Sequence, residues 1–476
     1  MRFKALFNAL LKRINTRVLY TILSAFVILA GTIVAIGYAK GNYRFTQNGF
    51  IKESGLLSAN SFPTGAQVLI DNKLVTATND TLYLEPGTYQ IKIVKDGYAP
   101  WEKTISIEKE LVAQTNALLF PSAPSLTPLS FTGAENVSPS PDGQKIIYYT
   151  QAASVDTQNG LYIMELGNLL PLQKSAKQIA ENVPNWNLET ANFIWSPDSN
   201  QVMVVANENS AGGGHHVLLS VDKKQSLTDL PDVGIRRKQI FSQWEEEMYL
   251  RERQFLAKFP EEIIQYATTS ARNVYMSPDK KKLLYTAQEQ HTLPEGIMPP
   301  VPATNTQLEE RRLEPNGIYI YDSEEDKNFK IGTELTQDSQ QDSQIDNQID
   351  SQIKYPQKQL LATDLYNPLP LSLEASPSAF MKLQATSSAQ TAVNFRTYHA
   401  PYTSSYQWFP DSNHVTHSLA DSIMITEYDG TNITTVYSGP FGENFTYPWP
   451  DGSKLIILTA FSPNSPLNLY AVELKR

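Results

Sequence analysis

The sequence predicts a mainly β protein that begins with one apolar helix, and three observations carry this prediction. Short apolar-polar alternations, which are typical of half-buried strands, recur through most of the chain after residue 57. A segment built around a Pro-Asp pair recurs five times from residue 137 onward. An uncharged apolar run of 21 residues, 19–39, precedes both patterns. The chain therefore divides into an apolar helix, a small β-domain and a larger repeat domain.

Composition sets the outer limits. The 476 residues are enough for two or three domains of about 150 residues each. Lysine and arginine number 39 against 49 aspartates and glutamates, a formal net charge of −10. An acidic surface repels phosphate backbones, so we expect no nucleic-acid partner. The chain has no cysteine, which excludes disulfides, thiolate metal sites and cysteine nucleophiles.

Residues 19–39 are long enough for a membrane span, because 21 residues of helix extend about 31 Å. More positive charges precede this run than follow it, which predicts residues 1–18 as a cytoplasmic tail and the bulk of the chain outside. A cleaved signal peptide ending near Ala39 is the alternative. The charges before the run are Arg2, Lys4, Lys12, Arg13 and Arg17, and those after it are Lys40, Arg44 and Lys52.

After a linker at 40–56, residues 57–120 alternate as a small antiparallel β-sandwich or meander. PTGAQVLIDN, from Pro63, and LEPGTYQIKIVKDGYAPW, from Leu84, resemble the two halves of a PEGA domain, with Thr64 in place of the family's glutamate. The resemblance implies a surface-exposed spacer or envelope-contact module without known catalysis. Tyr98 and Trp101 are either core residues or an exposed ligand platform. The motif positions are Pro63, Gly65, Ala66, Pro86, Gly87, Tyr89, Gly97 and Tyr98.

The repeat has a physical basis in turn chemistry. Proline fixes φ at the second position of a tight turn, and the aspartate that follows can bond nearby backbone amides. Each copy predicts a hairpin, and a further apolar segment after it predicts a third strand. We interpret these prolines and aspartates as structural. They are Pro141 and Asp142, Pro197 and Asp198, Pro278 and Asp279, Pro410 and Asp411, and Pro450 and Asp451.

Three strands, and usually a fourth, make one blade of a β-propeller, which we expect over residues 121–476. The repeat resembles the WD40-like propeller of the Tol system and of prolyl peptidases. We expect about six blades, with five or seven as alternatives and one degenerate blade between 360 and 405. Successive prolines lie 56, 81, 132 and 40 residues apart, against about 40–45 for an uninterrupted blade. Residues 125–131 are expected to close the ring by joining the last blade.

Two insertions interrupt the β pattern. Residues 235–268 have helical spacing, and they form either a flap packed on the propeller or an arm that presents Phe241 and Trp244 to a partner. Residues 334–358 are rich in Gln, Asp and Ser, which predicts a disordered loop.

No hydrolase elbow, phosphate loop or dinucleotide fingerprint occurs, and we expect no catalytic residue, cofactor or metal site. The predicted function is that of a membrane-anchored, extracytoplasmic bacterial binding or scaffold protein. Its propeller face would recognise a protein, a peptide or a cell-envelope glycan. The alternative is a lyase-type or glycosidase-type propeller enzyme with its site at the central channel.

Overall fold

The computed structural model of the chain contains two compact units. Unit 1 comprises Met1–Asp96, Pro100–Leu119 and Pro302–Gln307; unit 2 comprises Gly97–Ala99, Phe120–Val301 and Leu308–Arg476. The structure describes residues 16–39, 43–45, 51–167, 176–207, 214–299, 301, 305–334, 406–419, 421–442, 445–462 and 465–475.

Helix α1 (Thr16–Ala39) contains the whole of the predicted apolar run. The described side chains from Tyr20 to Ile36 are all exposed. Among the described residues, no helix combines the length and the apolarity that a membrane span requires. Most of the predicted cytoplasmic tail, residues 1–15, lies outside the described residues.

Unit 1 is a small β-domain, as predicted, but its strands are not all antiparallel. One sheet has the antiparallel order β6-β5-β8-β9. In the rest, β10 and β11 run parallel to β3 and β4. Parallel pairing is possible because the other strands form the long crossover that it requires. The strands are β1 (Tyr43–Phe45), β2 (Ile51–Glu53), β3 (Gly55–Ala59), β4 (Ser61–Phe62), β5 (Gln67–Ile70), β6 (Lys73–Ala77), β7 (Asp80–Leu84), β8 (Gly87–Val94), β9 (Trp101–Ile107), β10 (Val112–Gln114) and β11 (Ala117–Leu118).

The strand alternation that the sequence predicts decides the core of unit 1. Val68, Ile91 and Ile93 are fully buried, and Ile105 and Ile107 are nearly so. Trp101 is also buried, at 2% exposure, which favours its core interpretation over a ligand platform.

Unit 2 contains five antiparallel sheets of three or four strands among its described residues, numbered here in chain order, and one two-stranded sheet. Sheet 1 is β13 (Glu135–Pro139), β14 (Lys145–Thr150), β15 (Gly160–Glu165) and β16 (Ala176–Glu181). Sheet 2 is β17 (Asn192–Trp195), β18 (Gln201–Ala206) and β19 (His215–Ser220). Sheet 3 is β20 (Ala271–Met276), β21 (Lys282–Ala287), β24 (Gly317–Asp322) and β25 (Lys327–Thr333), beside the short pair β22 (His291–Thr292) and β23 (Arg312–Leu313). Sheet 4 is β26 (Tyr406–Trp408), β27 (His414–Ser418), β28 (Ser422–Glu427) and β29 (Thr434–Ser438). Sheet 5 is β30 (Thr446–Pro448), β31 (Lys454–Thr459) and β32 (Asn468–Glu473), joined by β12 (Leu126–Pro128).

Three pairs of sheets, 5 and 1, 1 and 2, and 3 and 4, pack face to face through shared apolar clusters. On β14, Ile147 and Tyr149 face sheet 2, whereas Ile146 and Tyr148 face sheet 5. Sheets 3 and 4 share a further cluster that contains Ile320 and Val415. This is the arrangement of a β-propeller. The expected degenerate blade at 360–405 lies outside the described residues.

The ring closes as the sequence predicts. Strand β12 pairs antiparallel with β32, with Leu126 opposite Val472 and Pro128 opposite Tyr470. The first strand of unit 2 thus supplies the fourth strand of its last sheet. Pairing the two ends of the unit removes an open edge at which another chain could add.

The predicted helical insertion forms α2 (Arg237–Leu256) and α3 (Glu261–Thr269). Helix α2 packs on sheet 2, where Ile240 and Phe241 contact the cluster around Met203 and Val205. Helix α3 packs on sheet 3 through Ile263, Tyr266 and Ala267. The predicted disordered loop at 334–358 falls outside the described residues, apart from Glu334.

Candidate binding surface

The five Pro-Asp segments form the same tight turn between the first and second strand of each sheet. In every copy the residue after the aspartate donates its backbone N–H to the carbonyl of the residue before the proline. The residue after the aspartate has a positive φ in every copy. Gly143 and Gly452, at +72° and +67°, adopt this φ without a steric penalty. The aspartate accepts a backbone N–H two residues ahead, from Gln144, Asn200, Lys281, Asn413 and Ser453 respectively.

The turns also join neighbouring sheets. The Asp142 N–H donates to Ser199 Oγ at 3.2 Å, and the Asp279 N–H donates to Ser412 Oγ at 3.0 Å. The five repeat aspartates are therefore bonded within the turns of unit 2. Because strands alternate in direction, these turns mark one end of unit 2, which we call the turn end.

Two aspartates at the turn end, Asp198 and Asp411, have pKa values below the usual value for a carboxyl. Burial raises the pKa of the Asp198 carboxyl, but hydrogen bonds from Ser196 and Asn200 outweigh it, so its pKa lies below the usual value. Burial likewise opposes ionisation of Asp411, but the His414 ring at 2.6 Å holds the pKa of that carboxyl below its usual value. These carboxylates are anionic near neutral pH and are bonded within their own turns.

The opposite end, the loop end, carries the connections between second and third strands and most connections between sheets. Seven exposed large apolar side chains lie there: Phe131, Val155, Ile235, Val301, Leu308, Leu419 and Phe461, with exposures of 77, 51, 102, 43, 96, 40 and 62%. In the described strand-to-strand connections at the turn end, Ile433 is the exposed large apolar residue. Contiguous exposed apolar side chains, unlike scattered ones, indicate an interaction surface.

Sheet 5 concentrates this character in one place. Its described loop-end connections, residues 129–134, 439–442, 460–462 and 465–467, contain no charged side chain, and we call them the uncharged patch. They touch one another: the Ala134 N–H donates to the Leu467 carbonyl at 2.7 Å, and a Cβ at Gly442 would lie 3.0 Å from the Leu467 side chain. Phe461 meets Tyr470 edge to face, with ring centroids 5.0 Å apart.

A second group of loop-end residues is polar. Arg272, on the innermost strand of sheet 3, pairs with Glu334 and donates to Asn316 Oδ1 at 2.8 Å. On sheet 1, Gln151 Nε2 donates to Glu135 Oε2 at 2.9 Å. These bonds lie within single sheets, and the buried Nε atom of Arg272 has no hydrogen-bond partner among the described residues. No cluster of three or more metal-ligating side chains occurs in the part of the chain that the structure describes.

The histidines of the fourth repeat lie in separate environments. His414 is buried beside Asp411, whereas His417 stacks on Tyr406 with ring centroids 4.1 Å apart. Burial lowers the pKa of His417, which favours its neutral form. The two rings share no partner in these contacts.

The sequence-predicted partner contact is not a free surface. Phe241 is 8% exposed and packs in the core of sheet 2, and Trp244 lies partly buried against it at a ring distance of 6.0 Å. The helix periodicity identified an apolar face correctly, but that face is the one that packs on the sheet. The packed flap is therefore the better interpretation of residues 235–268.

Most of the PEGA-motif residues lie in or beside turns of unit 1, whereas Gly97 and Tyr98 fall in unit 2. Gly65 and Gly97 have positive φ, at +72° and +82°. Ala66 is buried, and its N–H donates to Thr78 Oγ1 at 3.0 Å. The Tyr89 hydroxyl donates to the Glu85 carbonyl at 3.0 Å, across the turn that holds Pro86 and Gly87. Pro63 accepts a hydrogen bond from Ser61, and Tyr98 bridges to Pro121.

Comparison with known proteins confirms the predicted domain in unit 1: residues 54–121 match the PEGA domain model. No curated protein sequence matches the chain. Among solved structures, the chain is similar to the putative TolB from Agrobacterium tumefaciens, at 11% identity over 70% of this chain and 71% of that one, with a TM-score of 0.19. It is also similar to TolB from Acinetobacter baumannii, at 10% identity over 89% and 64%, with a TM-score of 0.20. An oligogalacturonate lyase in complex with manganese is 9% identical over 82% and 86%, with a TM-score of 0.24. At such TM-scores these likenesses carry no argument, and the fold of unit 2 rests on its own strand pairing.

Sequence patterns did not single out Phe131 or Phe461. Both are large aromatic residues in short connections of Ser, Thr, Pro and Gly without a charge, SFTGA and AFSP. That combination is a usable signal, since a connection between strands is normally polar and exposed.

Proposed function

We propose that the chain is an envelope-associated binding or scaffold protein whose loop end in unit 2 recognises a protein partner. The observation that carries this proposal is the contrast between the two ends. The turn end is built from residues bonded to one another, whereas the loop end exposes Phe131 and Phe461 to solvent. Aromatic residues held on rigid sheets are the usual anchors of protein interfaces.

The chemistry of the patch favours binding over catalysis. Its described connections offer no ionisable side chain, and a reacting surface needs a general acid, base or nucleophile. Elsewhere at the loop end, Arg272 pairs with Glu334, and Gln151 donates a hydrogen bond to Glu135.

The proposal includes a membrane anchor, with unit 1 and unit 2 outside the cytoplasm. It is supported by the apolar run of α1 and by the exposure of its side chains, such as Phe26 at 67% and Ile28 at 68%. Alkaline carbonate extraction tests it: an anchored chain stays in the membrane pellet, and release into the supernatant would contradict the anchor.

Site-specific photo-crosslinking in cells tests the binding face. A photoreactive amino acid is placed at Phe461 in one variant and at Ile433, 64% exposed at the turn end, in the matched control. We expect a discrete protein adduct from position 461 and none from 433, and we expect Phe131→Ser to reduce that adduct at least about tenfold. Equal adducts from both positions, or an adduct from 433 alone, would refute the loop end as the binding face.

A further inference from the structure

Hydrogen bonds and close packing hold parts of the uncharged patch together. Asn468 Oδ1 accepts bonds from Ser130 Oγ and from the Gly133 N–H, both at 3.0 Å. Ser130 Oγ in turn accepts the Leu469 N–H at 2.9 Å. Gly133, at φ +85°, lies so close to Pro466 that a Cβ there would be 3.3 Å from the proline ring. A pre-organised surface loses little conformational entropy on binding.

The border of the patch is acidic. Glu135 follows the patch residue Ala134 directly, and the Asp421 carbonyl accepts the N–H of the patch residue Gly439 at 2.8 Å. Asp156 lies in the connection whose Ala152 would be 3.5 Å from a Cβ at Gly133. In the described loop-end connections of sheets 1, 4 and 5, every charged side chain is a carboxylate.

An apolar centre with an acidic border selects its ligand both by apolar contact and by charge. The two phenylalanines favour apolar or aromatic side chains, and the carboxylates favour cations beside them and repel anions. From this complementarity we infer that the patch binds a segment of a partner protein in which apolar residues are flanked by lysine or arginine. This inference rests on the proposed function, since it names the chemistry of the partner at the same surface.

A random 12-residue peptide library displayed on phage provides the test. The full chain in detergent is panned in parallel with its Phe131→Ser/Phe461→Ser variant, and with Ile433→Ser as the control for loss of an exposed apolar residue. We expect peptides enriched on the wild-type chain, and lost on the double variant, to be apolar in the centre and net positive. Enriched peptides that are net negative, or that bind the double variant equally, would overturn the inference, as would the absence of differential enrichment.

Charge variants sharpen the result. For one synthetic peptide from the selection, Glu135→Gln/Asp421→Asn should weaken binding about threefold to tenfold and reduce its salt dependence. Asp222→Asn, an exposed carboxylate at the turn end, is the matched control and should change neither. Affinity and salt dependence unchanged in Glu135→Gln/Asp421→Asn would contradict the electrostatic part.

The two proposals fail separately. If photo-crosslinking at position 461 captures a partner whose contacting segment is acidic or polar, the binding function stands and the basic-flanked segment is wrong. If cationic peptides bind the patch but no cellular adduct forms at 461, the recognition chemistry stands and the proposed cellular function is wrong.

Discussion

The turns of sheets 2 and 4 have almost the same sequence, WSPDSNQ from Trp195 and WFPDSNH from Trp408, yet they hold their aspartates differently. In sheet 2, the Ser196 hydroxyl donates to Asp198 Oδ1 at 2.6 Å. In sheet 4, phenylalanine replaces that serine, and the His414 ring contacts Asp411 Oδ2 at 2.6 Å instead. The backbone turn is unchanged, since Ser199 and Ser412 have φ of 58° and 62°.

The difference shows that the backbone geometry fixes the turn, whereas the aspartate's side-chain partner is interchangeable. The shared tryptophans support this view: Trp195 Nε1 donates to the Ser138 carbonyl, and Trp408 Nε1 donates to the Tyr275 carbonyl. Each indole thus links the innermost strands of two neighbouring sheets. At the position of Ser196, sheet 4 has Phe409, which stabilises the turn by packing instead of by a hydrogen bond. Phe409 is 1% exposed and meets the Phe120 ring edge to face, with ring centroids 6.0 Å apart.

We expect the largest change in stability from truncating the side chain at the position where the two turns differ. Phe409→Ala should cost about 3–5 kcal/mol in the free energy of unfolding, because it removes a buried ring. Ser196→Ala should cost about 1–3 kcal/mol, because the buried Ser196 hydroxyl donates to the ionised Asp198 carboxylate and accepts the Gln201 N–H. Guanidinium denaturation of the full chain in detergent measures both, with tryptophan fluorescence as the signal, since five of the six tryptophans lie in unit 2.

The control for that experiment is Phe461→Ala, which truncates an exposed ring and should change stability by less than about 0.5 kcal/mol. If Ser196→Ala proved as destabilising as Phe409→Ala, the two positions would not differ in mechanism and the comparison would fail.

A smaller effect is expected in the pH dependence of stability, to which the aspartate of each turn contributes. The pKa of Asp198 and that of Asp411 both lie below their usual values, so each carboxylate contributes stability that is present above about pH 4 and is lost as pH falls through the folded-state pKa. Asp198→Asn and Asp411→Asn should each cost about 1 kcal/mol at pH 7 and flatten the acid loss. Denaturation midpoints between pH 2.5 and 7 measure this.

The partners provide the internal check. His414→Gln should remove most of the acid sensitivity that depends on Asp411 and leave that of Asp198 unchanged, and Ser196→Ala should do the reverse. An identical pH profile in both variants would show that the side-chain partners contribute nothing to the low pKa.

These turns also show which parts of the fold could be predicted from the sequence. Proline and aspartate act within a few residues of their own position, so the five hairpins, their third strands and the closing strand at Leu126 could be read from the pattern. Pairing between distant segments could not, and β10 and β11 proved parallel to β3 and β4. Helical spacing predicted α2 but not that sheet 2 covers Phe241.

The binding surface was harder to predict than the fold. An exposed aromatic residue in a connection is informative only when the sheets that bring connections together are known. Phe131 and Phe461 are 330 residues apart in the chain and share one patch because β12 joins sheet 5. The Pro-Asp motif therefore predicted the turn end of unit 2. The candidate binding surface at the loop end depends on the pairing of β12 with sheet 5, which the motif does not show.

The smallest expected effect concerns the serines with positive φ, which the two turns share. Ser199→Gly and Ser412→Gly each lose a bond to the neighbouring sheet but relieve the left-handed backbone, so each should change stability by less than about 0.5 kcal/mol. Ser199→Ala and Ser412→Ala lose the bond and keep the strained backbone, and should each cost about 0.5–1 kcal/mol. Because both turns have the same backbone, the two series should agree when measured by the same denaturation. A clear difference between Ser199→Gly and Ser412→Gly would show that the replaced side chains, Phe409 and His414, alter the backbone of the turn as well as the aspartate's partner.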